Sequence, residues 1–153
     1  MRQIVLYLED NASMRRYTTE LLREQGYDLE DFRRVDQVKE FFPAHKDEIV
    51  CIITDLNMSD EWLDDHQVET EGGMLSGWVW LDRFVYPVKP NISTVIYSGY
   101  IHILEKYLAS MGKLSALKKS NIICVSKGDD DDEGFSGLLD ALQNTLRIEG
   151  RRL

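Results

Sequence analysis

The stretch that most constrains this chain is Ile49-Val50-Cys51-Ile52-Ile53-Thr54, which is apolar, rich in β-branched residues and free of Gly, Pro and charge. It does not alternate between apolar and polar residues. A strand without that alternation is covered on both faces, as in a parallel sheet sandwiched between helices. Asp55 follows the run directly. In open α/β sheets the carboxyl ends of the strands open into the crevice between helices, where ligands collect. A lone Asp after a strand is more often a helix cap or a water-facing loop group, so the rest of the chain decides what Asp55 is for.

The same pattern recurs on either side. Ile4-Val5-Leu6-Tyr7-Leu8 is a second apolar run, and it ends on Glu9-Asp10. A helix is expected next, capped by Asn11 or Ser13, with Met14, Tyr17, Leu21 and Leu22 on one face and Gly26 as its stop. Tyr27 to Val35 reads as an edge strand. Asp36 is expected to cap a short helix carrying Val38, Phe41 and Phe42, closed by Pro43. After Met58 the pattern fails from Ser59 to Gly73, far longer than the roughly two to six residues usual for such a connection. This acidic loop holds Asp60, Glu61, Asp64, Asp65, Glu69 and Glu71, with Trp62 and Leu63 among them. Helical period resumes from Met74 through Leu75, Trp78, Leu81, Phe84 and Val85, and Pro87 and Pro90 end it.

Ser93 to Tyr97 reads as the next strand and is followed by Ser98-Gly99; a helix then covers about Ile101 to Met111, with a further turn or two between Lys113 and Lys119. Asn121 to Ser126 is the last strand and Lys127-Gly128 follows it. The acidic run Asp129 to Glu133 leads into a terminal helix bearing Phe135, Leu138, Leu139, Leu142 and Leu146, where acids suit the helix dipole. Five strands alternating with helices imply one α/β domain over residues 1–153: a doubly wound, five-stranded parallel sheet of order 2-1-3-4-5.

Composition removes several classes of function. The formal charge of −9 argues against sequence-independent binding to nucleic acid or to an anionic membrane surface, which draws its strength from basic faces. No apolar run approaches the roughly 20 residues of a membrane helix. Met1-Arg2-Gln3 leads straight into a strand with no visible signal peptide, so a cytoplasmic location is expected. Cys51 and Cys124 lie on strands separated by a third, about 9–10 Å apart, which is beyond disulfide reach. Both are expected as free, buried thiols.

Four strand ends now carry Glu9-Asp10, Asp55, Ser98 and Lys127, and the order 2-1-3-4-5 sets the acidic strands side by side at the topological switch point. Converging carboxylates repel one another and persist best around a divalent cation; an all-oxygen cluster with room for water suits Mg²⁺. An ammonium and a hydroxyl in the same cleft complement an incoming phosphoryl group. Asp55 would then be the nucleophile, forming an acyl phosphate.

At these residues the sequence resembles the receiver domain of two-component response regulators, a flavodoxin-like family that includes the chemotaxis regulator. The resemblance spans essentially the whole chain. It rests on the acidic pair ending the first strand, the phosphoacceptor position in Asp55-Leu56-Asn57-Met58, Ser98 followed by Gly99, and Lys127. It implies that Glu9, Asp10, Asp55 and the backbone carbonyl of Asn57 bind Mg²⁺, that Ser98 and Lys127 hold the phosphoryl group, and that a histidine kinase or histidine phosphotransfer protein donates it. A switched protein-binding face would engage a downstream protein partner. After Arg147 only Ile148 to Leu153 remain, so a stand-alone receiver without an output domain is expected, and self-phosphorylation from small phosphodonors and autodephosphorylation would be its only chemistry.

The sequence departs from the family pattern in places. Ser59 and Gly128 stand where family members carry proline, the second of them cis, so the loop after Lys127 is expected to take its own path. Cys124 stands where a switch aromatic is usual, which points to Tyr100 and residues 100–111 as the readout of Ser98. Other readings are a pseudo-receiver that binds partners without being phosphorylated and a Mg²⁺-dependent phosphatase of the haloacid-dehalogenase type. The phosphatase expects an acid–base Asp two residues after the nucleophile, where Asn57 cannot transfer protons. A flavodoxin-like FMN carrier fits worst, because Glu9-Asp10 would repel the phosphate.

Overall fold

The computed structural model describes residues 1–58, 70–128 and 131–148. Strands β1 (Ile4–Leu8), β2 (Asp28–Phe32), β3 (Ile49–Thr54), β4 (Ser93–Ser98) and β5 (Ile122–Ser126) alternate with helices α1 (Ala12–Glu24), α2 (Val35–His45), α3 (Ser76–Trp80), α4 (Ile101–Ser110) and α5 (Asp131–Ile148). Helix α3 continues as one π-turn over Leu81–Val85, and a 3-10 turn over Leu114–Leu117 precedes β5. The strands form one parallel sheet in the order β2-β1-β3-β4-β5. This is the expected single-domain, flavodoxin-like α/β fold.

Every residue of β1, β3 and β4 is buried, because helices cover both faces. On one face Ile4, Leu6, Ile52 and Ile96 pack with Val38 and Phe42 of α2, Trp78 and Trp80 of α3, and Leu104 and Leu108 of α4. On the other face Val5, Tyr7, Ile53, Val95 and Tyr97 meet Leu22 of α1 and Leu138, Leu142 and Leu146 of α5. A register shift between Ile4 and Val5 of β1 sets Ile49 and then Cys51 of β3 opposite them. This lets Ile49 and Ile52, an odd distance apart, share a face.

Several local expectations need correction. On α1, Thr18, Thr19 and Leu22 are the buried residues, while Met14, Tyr17 and Leu21 are only half-buried. Asn11 does cap α1, accepting from the Met14 N–H at 2.9 Å. Arg34, not Asp36, is the residue that opens α2, and Gln37 accepts from the backbone N–H groups of Arg33 and Arg34 at 3.0 and 3.1 Å. Pro43 does not close α2 but lies within its last turns, where only one intrahelical bond is lost. Cys51 is buried as expected, but Cys124 is exposed. Its strand is at the sheet's edge, with no further strand beyond it among the described residues.

The long connection after β3 has an ordered stem. The Met58 N–H donates to the Gly73 carbonyl at 3.0 Å, and the buried Ser76 hydroxyl donates to the Met58 carbonyl at 3.0 Å. Glu71, Gly72 and Gly73 turn the chain with φ of 55°, 69° and 94°, a left-handed stretch that glycine permits and Glu71 tolerates as a single residue. The acids expected at Asp60, Glu61, Asp64, Asp65 and Glu69, with Trp62 and Leu63, lie outside the described residues, as do Asp129, Asp130 and residues 149–153. Among the described residues no helix is long and apolar enough to cross a membrane.

Candidate functional site

Parallel strands run side by side, so their carboxyl ends reach one edge of the sheet together. Asp55 follows β3 at once, and its backbone N–H donates to the Leu8 carbonyl at 3.1 Å, which ties the end of β3 to the end of β1. Glu9 is tied to β2, its N–H donating to the Phe32 carbonyl at 3.0 Å, and Arg15 of α1 donates to the Glu9 carbonyl at 3.0 Å. These backbone bonds leave the carboxylates little freedom. Glu9, Asp10 and Asp55 each offer an oxygen, and the three oxygens lie within 4.8 Å of one another.

Lys127, directly after β5, closes the cluster. Its ammonium donates to Asp55 Oδ2 at 2.7 Å and to Glu9 Oε1. The other Asp55 oxygen accepts from the Leu56 N–H at 2.7 Å. No cis peptide bond occurs among the described residues. The ammonium reaches the site with Gly128 in place of proline, and the Lys127 N–H is fixed to the Ser98 carbonyl at 3.2 Å.

Burial sets the charge balance. Glu9 is fully buried as a residue; burial first and the charge of Asp55 second push its carboxyl up to about 8, against the pull of Lys127. Asp10 is exposed at the rim and is also raised, by partial burial and then by Asp55. Burial alone would lower the Lys127 ammonium, but the combined charges of Asp55 and Glu9 outweigh it and raise it.

Ser98, the last residue of β4, is fully buried, and its hydroxyl oxygen accepts from the Tyr100 N–H at 3.1 Å. Asn57 is half-buried in the turn after Asp55. The structure therefore brings Glu9, Asp10, Asp55 and Lys127 into one cluster and sets Ser98 on the adjoining strand end. The expected readout residue Tyr100 is half-buried beside Ser98, against the cluster under α4, whereas Tyr97 points to the opposite face.

The fit of Mg²⁺ rests on the donor set. All three side chains are hard oxygen ligands, and Glu9 Oε2 is a buried oxygen without a hydrogen-bond partner. Burying an unpaired carboxylate oxygen is costly; a cation among Glu9, Asp10 and Asp55 would relieve that cost and the mutual repulsion.

Gly77 was not singled out by the sequence. A Cβ at this position would stand 1.9 Å from the Asp55 carbonyl oxygen and 3.0 Å from Thr54 Oγ1. Its N–H donates to the Leu56 carbonyl at 3.1 Å, so the first turn of α3 presses on the backbone that carries Asp55. The available signal was a glycine within an apolar helical period, which often marks close packing.

No family model matches the sequence, and no curated protein matches it. Solved structures do. The chain is similar to a response regulator receiver protein from Sinorhizobium medicae WSM419, at 18% identity and TM-score 0.64, covering 95% of each chain. It is also similar to a response regulator receiver domain protein from Clostridium thermocellum, at 16% identity and TM-score 0.62, covering 95% of this chain and 98% of that one. The receiver domain of the hybrid histidine kinase CckA gives 15% identity and TM-score 0.59 over 94% of this chain and 98% of that one. The chain has the fold of response regulator receiver domains.

Proposed function

We propose that the chain is a receiver that accepts a phosphoryl group on Asp55 from a histidine kinase or histidine phosphotransfer protein, in the cytoplasm, and thereby switches a protein-binding face. The observation that carries this reading is the convergence of Glu9, Asp10 and Asp55 within 4.8 Å, with the Lys127 ammonium at 2.7 Å from Asp55. An Asp55 carboxylate oxygen attacks phosphorus, the P–N bond of the donor's phosphohistidine breaks, and the imidazole leaves and takes up a proton. Lys127 offers its ammonium to the phosphoryl oxygens. Ser98, released from the Tyr100 N–H, can donate its hydroxyl to another. Mg²⁺ held by Glu9, Asp10, Asp55 and the Asn57 carbonyl would supply positive charge against the phosphoryl oxygens when bound.

Intact-mass measurement after incubation with a small phosphodonor tests this. One phosphoryl group should add in the presence of Mg²⁺, none after chelation, and none in Asp55→Asn. Labelling that survives Asp55→Asn would move the acceptor elsewhere. A parent that never labels would favour the pseudo-receiver, in which the Lys127 bridge to Asp55 and Glu9 is a permanent structural tie.

A further inference from the structure

The outer edge of β5 is chemically unlike the rest of the sheet. Two hydrogen bonds fix which way its backbone faces: the Thr94 N–H donates to the Asn121 carbonyl at 2.8 Å, and the Lys127 N–H donates to the Ser98 carbonyl at 3.2 Å. Parallel ladders alternate, so residues 121, 123, 125 and 127 direct their backbone groups at β4, while Ile122, Cys124 and Ser126 direct theirs outward. Among the described residues no strand lies on that side. The Ile122 N–H is satisfied by the Lys119 carbonyl at 3.1 Å, but the groups of Cys124 and Ser126 face out, and both residues are exposed. A cleft lined by Gly99, Ile101, His102, Glu105, Cys124 and Ser126 opens beside this edge.

Edge strands are usually guarded by charge, proline or a bulge. β5 reads Ile-Ile-Cys-Val-Ser and has none of these. By contrast β2, the other edge, carries Asp28, Glu30 and Asp31, with Arg2 paired to Asp28 at 2.8 Å and to Glu30 at 2.7 Å.

We infer that β5 pairs antiparallel with β5 of a second copy of this chain, about a two-fold axis at Cys124, to make one continuous sheet. The outward set of Ile122, Cys124 and Ser126 is symmetric about Cys124. In this register Cys124 faces its own copy as a hydrogen-bonded pair and the Ser126 N–H faces the other copy's Ile122 carbonyl, so the outward N–H groups of Cys124 and Ser126 each meet a carbonyl, the Ile122 N–H keeps its bond to the Lys119 carbonyl, and no like charges oppose within the strand. Charge complementarity outside the strand favours a second copy as the occupant. Lys118 and Lys119 are exposed just before β5, and Asp132 and Glu133 are exposed at the start of α5 just after it. An antiparallel copy brings the basic end of each strand to the acidic end of the other.

Sedimentation of the full chain under reducing conditions tests the inference. At about 100 μM the parent should sediment at twice its 17.8 kDa. Cys124→Ser should do the same, because the pairing uses backbone and not sulfur. Cys124→Lys, which sets two ammonium groups at the axis, and Cys124→Pro, which removes the central outward N–H, should be folded by circular dichroism and monomeric, an increase of about tenfold or more in the dissociation constant. A short bismaleimide should link the parent through Cys124, since Cys51 is buried. A monomeric parent, a Cys124→Lys variant that still dimerises, or a dimer that the bismaleimide cannot link overturns the inference. So does a monomer that captures extended peptides at this edge, which would make the edge a docking strand for another protein.

Discussion

β3 and β5 end on opposite charges that meet in one site, yet the two strands are built differently. All of β3 is buried, it lies between β1 and β4, and the carbonyl of Asp55 is pressed by Gly77 of α3. β5 buries only Ile122 and lies at the edge. Its Lys127 then reaches into the site at the end of a four-carbon stem. The acids are therefore held by rigid backbone in the middle of the sheet, while the cation comes from the less constrained border. Under the proposed function, an arriving divalent ion or phosphoryl group would meet carboxylates held by buried backbone and a counter-charge carried by the edge strand.

The largest expected effect strikes the rigid side. Gly77→Ala forces a Cβ into the Asp55 carbonyl, and urea unfolding should show a loss of about 3 kcal/mol; a loss as small as that of an ordinary helical glycine would mean that the backbone of β3 is not pinned by α3. Lys127→Met should cost less, about 2 kcal/mol, because burial already raises the Glu9 carboxyl to about 8 with Lys127 in place, so at neutral pH the loss of the ammonium leaves no second unpaired buried charge there. That substitution also sharpens a pH effect. Glu9 is held near 8, above its ordinary 4.5, so the folded state binds a proton that the unfolded state has released. The stabilisation is complete below about pH 4.5 and is lost as pH rises through about 8. Stability of the metal-free protein should fall over that interval, more steeply in Lys127→Met, and a flat profile in both would contradict the assigned burial of Glu9.

Mg²⁺ should have the smallest effect. At ten times its dissociation constant it should raise the melting temperature of the parent by about 4 °C and flatten the pH dependence, with little change in Asp10→Asn. Equal shifts in both would place the ion elsewhere.

How much of this could be read in advance follows the same contrast. β3 was legible because burial on both faces leaves a continuous apolar run, and the strand ends were legible because Glu9, Asp10, Asp55, Ser98 and Lys127 each follow such a run. Helix faces were less so: Thr18 and Thr19 are buried on α1 where Met14 and Tyr17 were expected, since a helix's inner face is set by the neighbours it packs on. Cys124 looked like a core residue because its strand is apolar, and nothing in one strand's sequence tells that no strand follows it outward. Gly77 was hidden for a related reason. Its constraint comes from a backbone carbonyl many residues away, and carbonyls leave no mark in sequence.

The most direct measurement on the proposed role of Asp55 is borohydride trapping of the acyl phosphate after incubation with a phosphodonor and Mg²⁺, followed by peptide mapping. Reduction should convert residue 55 to homoserine, only in the Mg²⁺-treated sample. Homoserine at Asp10 or another aspartate, 2-amino-5-hydroxypentanoate at Glu9, or no reduced residue at all in a sample that carries phosphate by mass, would contradict the assignment of Asp55 as the acceptor.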